Sequence, residues 1–485
     1  MKPRLLPWLV PGLLLSAFAP LLAADPAPKP NVLFCIADDW SYPHASIYGD
    51  KVVRTPHFDR VAREGALFQR AWCAAPSCTP SRGAMLTGRW PHQLEEGGNL
   101  WSTLPAKFKV YPELLEEAGY AVGCEGKGWG PGNVAAGGRK RNPAGPPVKF
   151  EKFLAATLKD QPFCFWYGSM DPHRPYGPGT GAAAGLKATD VQLPAAWPDS
   201  PEIRNDVLDY YFEVQRFDAR VGELLTALEA AGRLDDTIVV VTSDNGMPFP
   251  RAKANLYDLG AHMPLAIRWP TKIKAGTVVD SFVTQVALAP TFLEAAGLTP
   301  PPEMAEKSLL PLLTGAAPGA EKVFTERERH ADVRQGHASY PVRAVRTAKW
   351  LYLRNLRPDR WPAGDPQHVF AVGEFGDVDP SPTKNFILGL RDDPERSRFF
   401  QLSLGRRPAE ELYDVEKDPH QLHNLAGNSD HEATQAQLRG ELEKWMRDTG
   451  DPRATSDDDR WDQFPYYGKP GRDMAPPNAK PEPKP

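Results

Sequence analysis

Apolar runs of strand length recur through the first 300 residues, and most of them run out into polar or turn-forming residues. Asn31–Ala37 (NVLFCIA) is apolar throughout after its first residue, as suits a strand covered on both faces. It ends in Asp38-Asp39. Thr55-Pro56 then opens a helix to about Gly65, with Thr as N-cap and Pro at the first helical position. Tyr111 to Ala118 reads as another helix, followed by a strand from Tyr120 to Cys124. Pro162–Tyr167 is a further buried strand and leads into Met170-Asp171-Pro172-His173-Arg174. A long amphipathic helix from about Asp206 to Ala231 precedes the strand Thr237–Thr242, which runs into Ser243-Asp244-Asn245-Gly246. Pro264–Trp269 reads as a strand and Val283 to Ala296 as a helix. This alternation predicts an α/β fold, a large mostly parallel sheet sandwiched by helices. In such sheets functional groups gather beyond the carboxyl ends of the strands.

From about Val323 the texture changes to short strands, Val342 to Thr347 and Trp350 to Leu356, with a terminal helix from about Glu432 to Met446. The expected organisation is a catalytic domain over residues 30–315 and a smaller C-terminal α+β domain, with an antiparallel sheet, over residues 320–450. At the start, Lys2 and Arg4 precede an apolar run from Leu5 to Leu22 that ends in Leu-Ala-Ala before Asp25. A positive start, an apolar middle and small residues at the exit describe a secretory signal peptide over residues 1–24. Pro7, Pro11 and Pro20 argue against a stable membrane anchor. The expected location is therefore periplasmic or extracellular, lysosome-like in a eukaryote. Residues 469–485 are Pro/Lys-rich and expected to be disordered.

Composition narrows the function. Lys+Arg 57 against Asp+Glu 61 leaves a net charge of −4 spread along the chain, which argues against nucleic acid as a partner. Pro 52 and Gly 40 predict many rigid, irregular loops. The cysteines number 5, so one thiol has no internal partner. Cys35, Cys124 and Cys164 fall in predicted core strands, as small buried thiols. A homodimer is compatible with the chain.

Asp38, Asp39, Asp244 and Asn245 stand at the exits of two strongly apolar strands. Each pair alone is an ordinary turn former. Together they describe an oxygen-rich site for a divalent cation, Ca²⁺ or Mg²⁺ rather than zinc.

Cys78-Thr79-Pro80-Ser81-Arg82-Gly83, followed by Leu86-Thr87-Gly88-Arg89, resembles the signature of the type I sulfatases, Cys-x-Pro-Ser-Arg with a downstream Leu-Thr-Gly. The resemblance implies an alkaline-phosphatase-like fold. It also implies that a formylglycine-generating enzyme oxidises Cys78 to formylglycine, whose hydrated aldehyde offers one hydroxyl to attack sulfur and a second to collapse the resulting ester. By the same resemblance Asp38, Asp39, Asp244, Asn245 and the modified Cys78 bind the metal, usually calcium. Arg82 would hold the diol, Lys127 and Lys253 would bind sulfate, and His173 would contact sulfate and protonate the leaving group. One departure stands out. Members of the family usually carry Lys-x-His where this chain has Lys127-Gly128-Trp129, so either another imidazole substitutes, with His44, His92, His262 and His330 as candidates, or collapse of the ester uses different help.

Within the family the chain is similar to the N-sulfoglucosamine sulfohydrolases, or sulfamidases. The matching stretches are Ser243–Pro250, Asn255–Tyr257, Asp171–Arg174, Ser339–Arg343, Glu411–His420 and Asn424–Ala426. That implies a sulfated saccharide as substrate, with Trp129, His330, Tyr340 and Arg343 as candidate contacts and Trp101 and Trp361 as further aromatics available to stack on sugars. Alternatives of other classes are an O-sulfatase on another polysaccharide, a phosphonate or phosphodiester hydrolase of the same superfamily, and a sulfated-glycan-binding protein without turnover.

Overall fold

A computed structural model describes Pro3, residues 29–367 and residues 373–468. The expected tail, and the expected leader apart from Pro3, lie outside the described residues. Among the described residues eight strands form the larger sheet: β1 (Asn31–Ala37), β2 (Ala66–Trp72), β3 (Ala121–Gly126), β4 (Phe163–Gly168), β5 (Thr237–Ser243), β6 (His262–Arg268), β7 (Thr277–Val279) and β8 (Val283–Thr284). Their order is β3-β4-β1-β5-β6-β2-β7, with β8 beside β2. β3, β4, β1 and β5 are parallel neighbours, and β6 runs antiparallel to β5 and β2.

The central strands are apolar throughout because both faces are covered. Every residue of β1 and β5 is buried. Leu33, Cys35, Val239 and Val241 face the core that includes Val214, Phe217 and Val221 of the helix Pro201–Ala230. Val32, Phe34, Ile238 and Val240 face the opposite core, with Tyr111 and Leu115 of the helix Tyr111–Glu117 and Leu288 and Phe292 of the helix Leu288–Ala295. The long helix begins at Pro201 rather than near Asp206. Ser200 caps it, its hydroxyl accepting from Ile203 N, and Pro201 fills the first helical position. Helix α1 (Pro56–Glu64) starts as expected, but Thr55 does not cap it and donates instead to Asp59 Oδ1 at 3.0 Å. The helix expected from Val283 begins only at Leu288, because β8 and a short 3₁₀ turn take the first residues. β2 gave no readable pattern: Gln69 and Arg70 interrupt its apolar run where its register with β6 shifts.

The second sheet is antiparallel, in the order β12-β11-β10-β9, from β9 (Lys322–Arg327), β10 (Val342–Thr347), β11 (Trp350–Asn355) and β12 (Glu410–Asp414). Val345, Tyr352 and Leu412 pack with Leu438, Leu442, Trp445 and Met446 of the helix Glu432–Asp448, and this core includes Ala84 and Trp90. Ala84 belongs to helix α2 (Cys78–Thr87), so the small sheet buttresses the helix that carries Cys78.

A buried charge network supports the same region. Arg343 pairs with Glu328 at 2.7 Å, Asp451 at 2.6 Å and Glu326 at 3.2 Å, and His92 Nδ1 lies 2.8 Å from Glu326 Oε2. Burial acts to lower the His92 imidazole, but Glu326 and Asp451 outweigh it and hold the ring above its ordinary value. The protonated pair therefore stabilises the fold fully below the ordinary histidine value of about 6.5, and that contribution is lost as pH rises through the raised folded value. His92→Gln is expected to lower stability more at about pH 5 than at about pH 9. Thermal melts of both proteins at the two pH values check this, and equal losses would contradict it.

Candidate active site

The carboxyl ends of β1, β3, β4 and β5 converge on the amino end of α2. Asp38 and Asp39 follow β1, Lys127 follows β3, His173 lies in the loop after β4, and Asp244 and Asn245 follow β5. Asp39 has a φ of 75°, and its N–H donates to Asp244 Oδ1 at 3.1 Å, so the two metal-type turns are tied together. Gly126, with a φ of 74°, makes the turn into Lys127. A Cβ there would stand 2.1 Å from the Gly168 carbonyl, so only glycine lets β3 and β4 end this close together.

Cys78 occupies the first position of α2, a helix whose residues are all buried. Its Sγ lies 3.5 Å from Asp38 Oδ1. One ligand atom each from Asp38, Asp39, Cys78 and Asp244 lie within 4.8 Å of one another. Asn245 donates to Asp39 Oδ1 at 2.6 Å, while its own Oδ1 is buried without a hydrogen-bond partner. Three carboxylates and an orphaned amide oxygen, with no imidazole among them, fit a hard divalent cation.

Cations ring this cluster. Lys127 Nζ donates to both Asp38 oxygens at 2.7 and 2.6 Å, and Lys253 Nζ lies 2.5 Å from Asp39 Oδ2. Arg82 is fully buried; its Nε donates to Asp244 Oδ2 at 2.7 Å and its Nη1 to the carbonyls of Lys127 and Gly128 at 2.7 and 3.1 Å. Its Nη2 has no hydrogen-bond partner and stands 3.7 Å from Asp38 Oδ1. Burial acts to raise Asp38, but Lys127, His173 and Arg82 outweigh it and hold this carboxyl far below the usual range. Burial, helped by the charge of Asp38 and opposed by Arg82, pushes Asp244 up to about 6. Burial likewise pushes the Cys78 thiol well up, against the pull of Lys127, so the unmodified side chain is a protonated thiol. His173 Nδ1 lies 2.6 Å from the Arg174 carbonyl, which fixes the ring and leaves Nε2 toward the cluster, 3.8 Å from Asp39 Oδ2.

The residues expected to touch substrate divide. His330 stands beside the start of α2: its Nδ1 lies 2.8 Å from Ser77 Oγ, and Ser77 immediately precedes Cys78. Ser77 holds the N-cap position of α2 without capping it, because its hydroxyl is turned to the imidazole. Burial, aided by Lys253 and Arg327, pushes His330 down to about 3, so the ring is neutral. The other three candidate histidines are committed elsewhere. His44 bonds Asp50 and Tyr211 and lines a cavity of about 660 Å³ that contains none of the cluster residues. His92 belongs to the Glu326 network, and His262 is stacked between Tyr42 and Trp72.

Trp129, Tyr340 and Arg343 require correction, since none of them offers a free face to a saccharide. Trp129 is 3% exposed and stands against α2, where a Cβ on Gly83 would lie 3.7 Å from its Nε1. Tyr340 is buried, with the guanidiniums of Arg327 and Arg334 each 5.6 Å from its ring centre. Arg343 is consumed by the network of Glu326, Glu328 and Asp451. All five cysteines are buried and unpaired.

Two contributors escaped sequence reasoning. Asp379 lies 3.7 Å from Lys253 Nζ, and Asp206 clamps Arg174 in a two-pronged pair at 2.7 and 2.8 Å. Asp379 sits in a Pro-flanked stretch that reads as a surface turn, and Asp206 lies on a helix face, where a lone carboxylate reads as solvated.

Residues 30–134 and 148–298 match the family model described as Sulfatase, and residues 252–366 match that described as N-sulphoglucosamine sulphohydrolase, C-terminal. The Homo sapiens N-sulphoglucosamine sulphohydrolase is 31% identical over 87% of this chain and 91% of its own length. An ulvan-active sulfatase of Formosa agariphila is 26% identical over 87% of this chain and 76% of its own length. A solved structure of a protein in complex with its substrate D-glucosamine-2-N,6-O-disulfate covers 89% of this chain and 100% of its own, with a TM-score of 0.64 at 19% identity. The phosphonate monoester hydrolase of Agrobacterium radiobacter covers 87% of this chain and 96% of its own, with a TM-score of 0.58 at 18% identity. These last two likenesses speak to the fold.

Proposed function

The chain belongs to the sulfatase family, and from that premise we propose that it removes a sulfuryl group from a saccharide, best read as the N-sulfated glucosamine of heparan-type glycans. The observation that carries this reading is Cys78 at the head of α2, within one atom cluster with Asp38, Asp39 and Asp244 and surrounded by Arg82, Lys127, Lys253 and His173. The match of residues 252–366 and the similarity to the human protein support a nitrogen-linked sulfuryl group over an ester.

Oxidation of Cys78 to formylglycine by a formylglycine-generating enzyme would supply a hydroxyl nucleophile that the buried thiol lacks. Asp38, Asp39, Asp244 and Asn245 would hold calcium, or magnesium, which when bound supplies positive charge that polarises a sulfuryl oxygen. The side chains do the rest. Arg82 offers its unpartnered Nη2 and keeps Asp244 ionised, while Lys127 and Lys253 offset the charge of the incoming anion. His173 Nε2 passes a proton to the departing nitrogen or oxygen. His330, whose Nδ1 lies 2.8 Å from the hydroxyl of the residue before Cys78, takes the place of the imidazole missing at Trp129. The basic, apolar, small-residue leader over 1–24 supports export to the periplasm or the extracellular space.

Co-expression with a formylglycine-generating enzyme, addition of calcium, and measurement of sulfate released from glucosamine N-sulfate and glucosamine 6-O-sulfate test the reading. Release from the N-sulfated sugar in clear preference is expected. Release from the 6-O-ester alone would keep the catalytic assignment and discard the substrate. Silence on both, with formylglycine verified at position 78, would contradict the proposed saccharide.

A further inference from the structure

Resting on that reading, the structure assigns Asp379 as the residue that selects a nitrogen-linked sulfuryl group. We propose that its carboxylate accepts the N–H of the sulfamate and then holds the ammonium of the released sugar.

Asp379 lies in the stretch between β11 and β12, far in sequence from every motif that resembles the family signature, yet its position is firmly determined. Two residues earlier, Asp377 is buried and accepts from Arg327, Arg334 and the Ala331 N–H. Two residues later, Ser381 caps the helix Pro382–Leu388, accepting from Lys384 N at 3.0 Å. Thr383 donates from its backbone and hydroxyl to Asp206 Oδ2 at 3.2 and 2.6 Å. Asp206 is the same carboxylate that clamps Arg174, the neighbour of His173. The segment bearing Asp379 and the loop bearing His173 are thus fastened to one anchor.

What the carboxylate does there is not accounted for by the fold. Its Oδ2 is buried and has no hydrogen-bond partner among the described residues. The nearest cation, Lys253 Nζ, stands 3.7 Å away and gives its hydrogen bonds to Asp39. The side chain is 23% exposed, so part of it meets solvent. One oxygen of Asp39, one ring nitrogen of His173 and one oxygen of Asp379 lie within 4.8 Å of one another. A single atom seated among them touches all three.

A proton donor to the leaving atom must touch that atom, so the leaving atom sits at His173 Nε2 and within reach of Asp379. The chemistry of the two linkages then differs. The bridging oxygen of a sulfate ester has lone pairs and no hydrogen, so a carboxylate opposite it repels. The bridging nitrogen of a sulfamate carries a hydrogen and donates it. As the S–N bond breaks, sulfur passes to the hydroxyl oxygen at position 78, whose proton goes to solvent water, and nitrogen keeps the bonding pair and takes a proton from His173 Nε2. The resulting amine gains a second proton from water to become ammonium, which pairs with Asp379. A site built to hydrogen-bond an N–H discriminates against an analogue lacking it, because its own polar group is then left unpaired.

The test uses the matured, calcium-supplied full chain and its Asp379→Ala and Asp379→Asn variants, with melts to verify folding. The ratio of kcat/KM for glucosamine N-sulfate over glucosamine 6-O-sulfate is expected to fall about 10- to 100-fold in Asp379→Ala, the scale of a hydrogen bond to a charged acceptor. Binding of glucosamine, measured by calorimetry, is expected to weaken by about tenfold or more, with N-acetylglucosamine, which has no ammonium, as the reference. An unchanged ratio together with unchanged glucosamine binding would overturn the assignment and leave Asp379 as a support for Lys253. If the parent releases sulfate from neither sugar, the substrate reading fails, and the glucosamine binding of the parent and variants still decides the role of Asp379.

Discussion

Cys78→Ala will abolish turnover and leave the fold intact. The loss should be on the order of 10⁴-fold or more, because removing a nucleophile leaves only binding and electrostatics to act on the substrate. Stability should change by about 1 kcal/mol or less. The side chain is small, and its thiol makes one long contact, 3.5 Å to Asp38 Oδ1. Neither Lys127 nor Lys253 depends on the sulfur for its ion pair, since each bonds a carboxylate directly. The measurement is sulfate release alongside a thermal melt. Activity within tenfold of the parent would remove Cys78 from the mechanism.

Arg82→Met is expected to act on stability and activity together. Arg82 is the one cation bonded to Asp244, and its three good hydrogen bonds reach a carboxylate and two carbonyls from inside the protein. Methionine matches the length of the side chain but leaves Asp244 a buried carboxylate beside Asp38 without its bonded cation, with Lys127 as the more distant opposing charge. Removing one partner of a buried pair costs roughly 3–5 kcal/mol. Lysine should not rescue it, since a single ammonium cannot reproduce the planar fork that spans Asp244 and the carbonyls of Lys127 and Gly128. A melt of Arg82→Met within about 1 kcal/mol of the parent would contradict the buried-pair account.

The fold was readable where one physical constraint dominated. β1 and β5 are buried on both faces, so their sequences could not be anything but apolar, and their exits had to be polar. β3, β4, β6, β10, β11 and the terminal helix were readable in the same way, while β9 and β12 were not. β2 was hidden by Gln69-Arg70 at an irregularity of the sheet, and the start of the long helix by overlooking Ser200-Pro201. Asp38, Asp39, Asp244 and Asn245 were legible because they follow strand ends, where topology brings distant residues together, and Cys78 because its stretch resembles the sulfatase signature. Substrate-facing residues were not. Tyr340 and Arg343 lie in a stretch similar to known relatives, yet their side chains are spent on buried pairs that no local pattern records. Asp379 reaches the site through the packing of the small sheet and its loops, a long-range fact absent from its own neighbourhood.

The account's central claim is that position 78, converted from cysteine, is the nucleophile of a sulfatase acting on an N-sulfated sugar. Its most direct test is one preparation split two ways: mass spectrometry of the peptide containing residue 78, and sulfate release from glucosamine N-sulfate. With and without a co-expressed formylglycine-generating enzyme, the predicted result is that specific activity rises in proportion to the fraction of that peptide carrying the aldehyde. Full turnover by protein whose residue 78 remains an unmodified thiol would contradict the account.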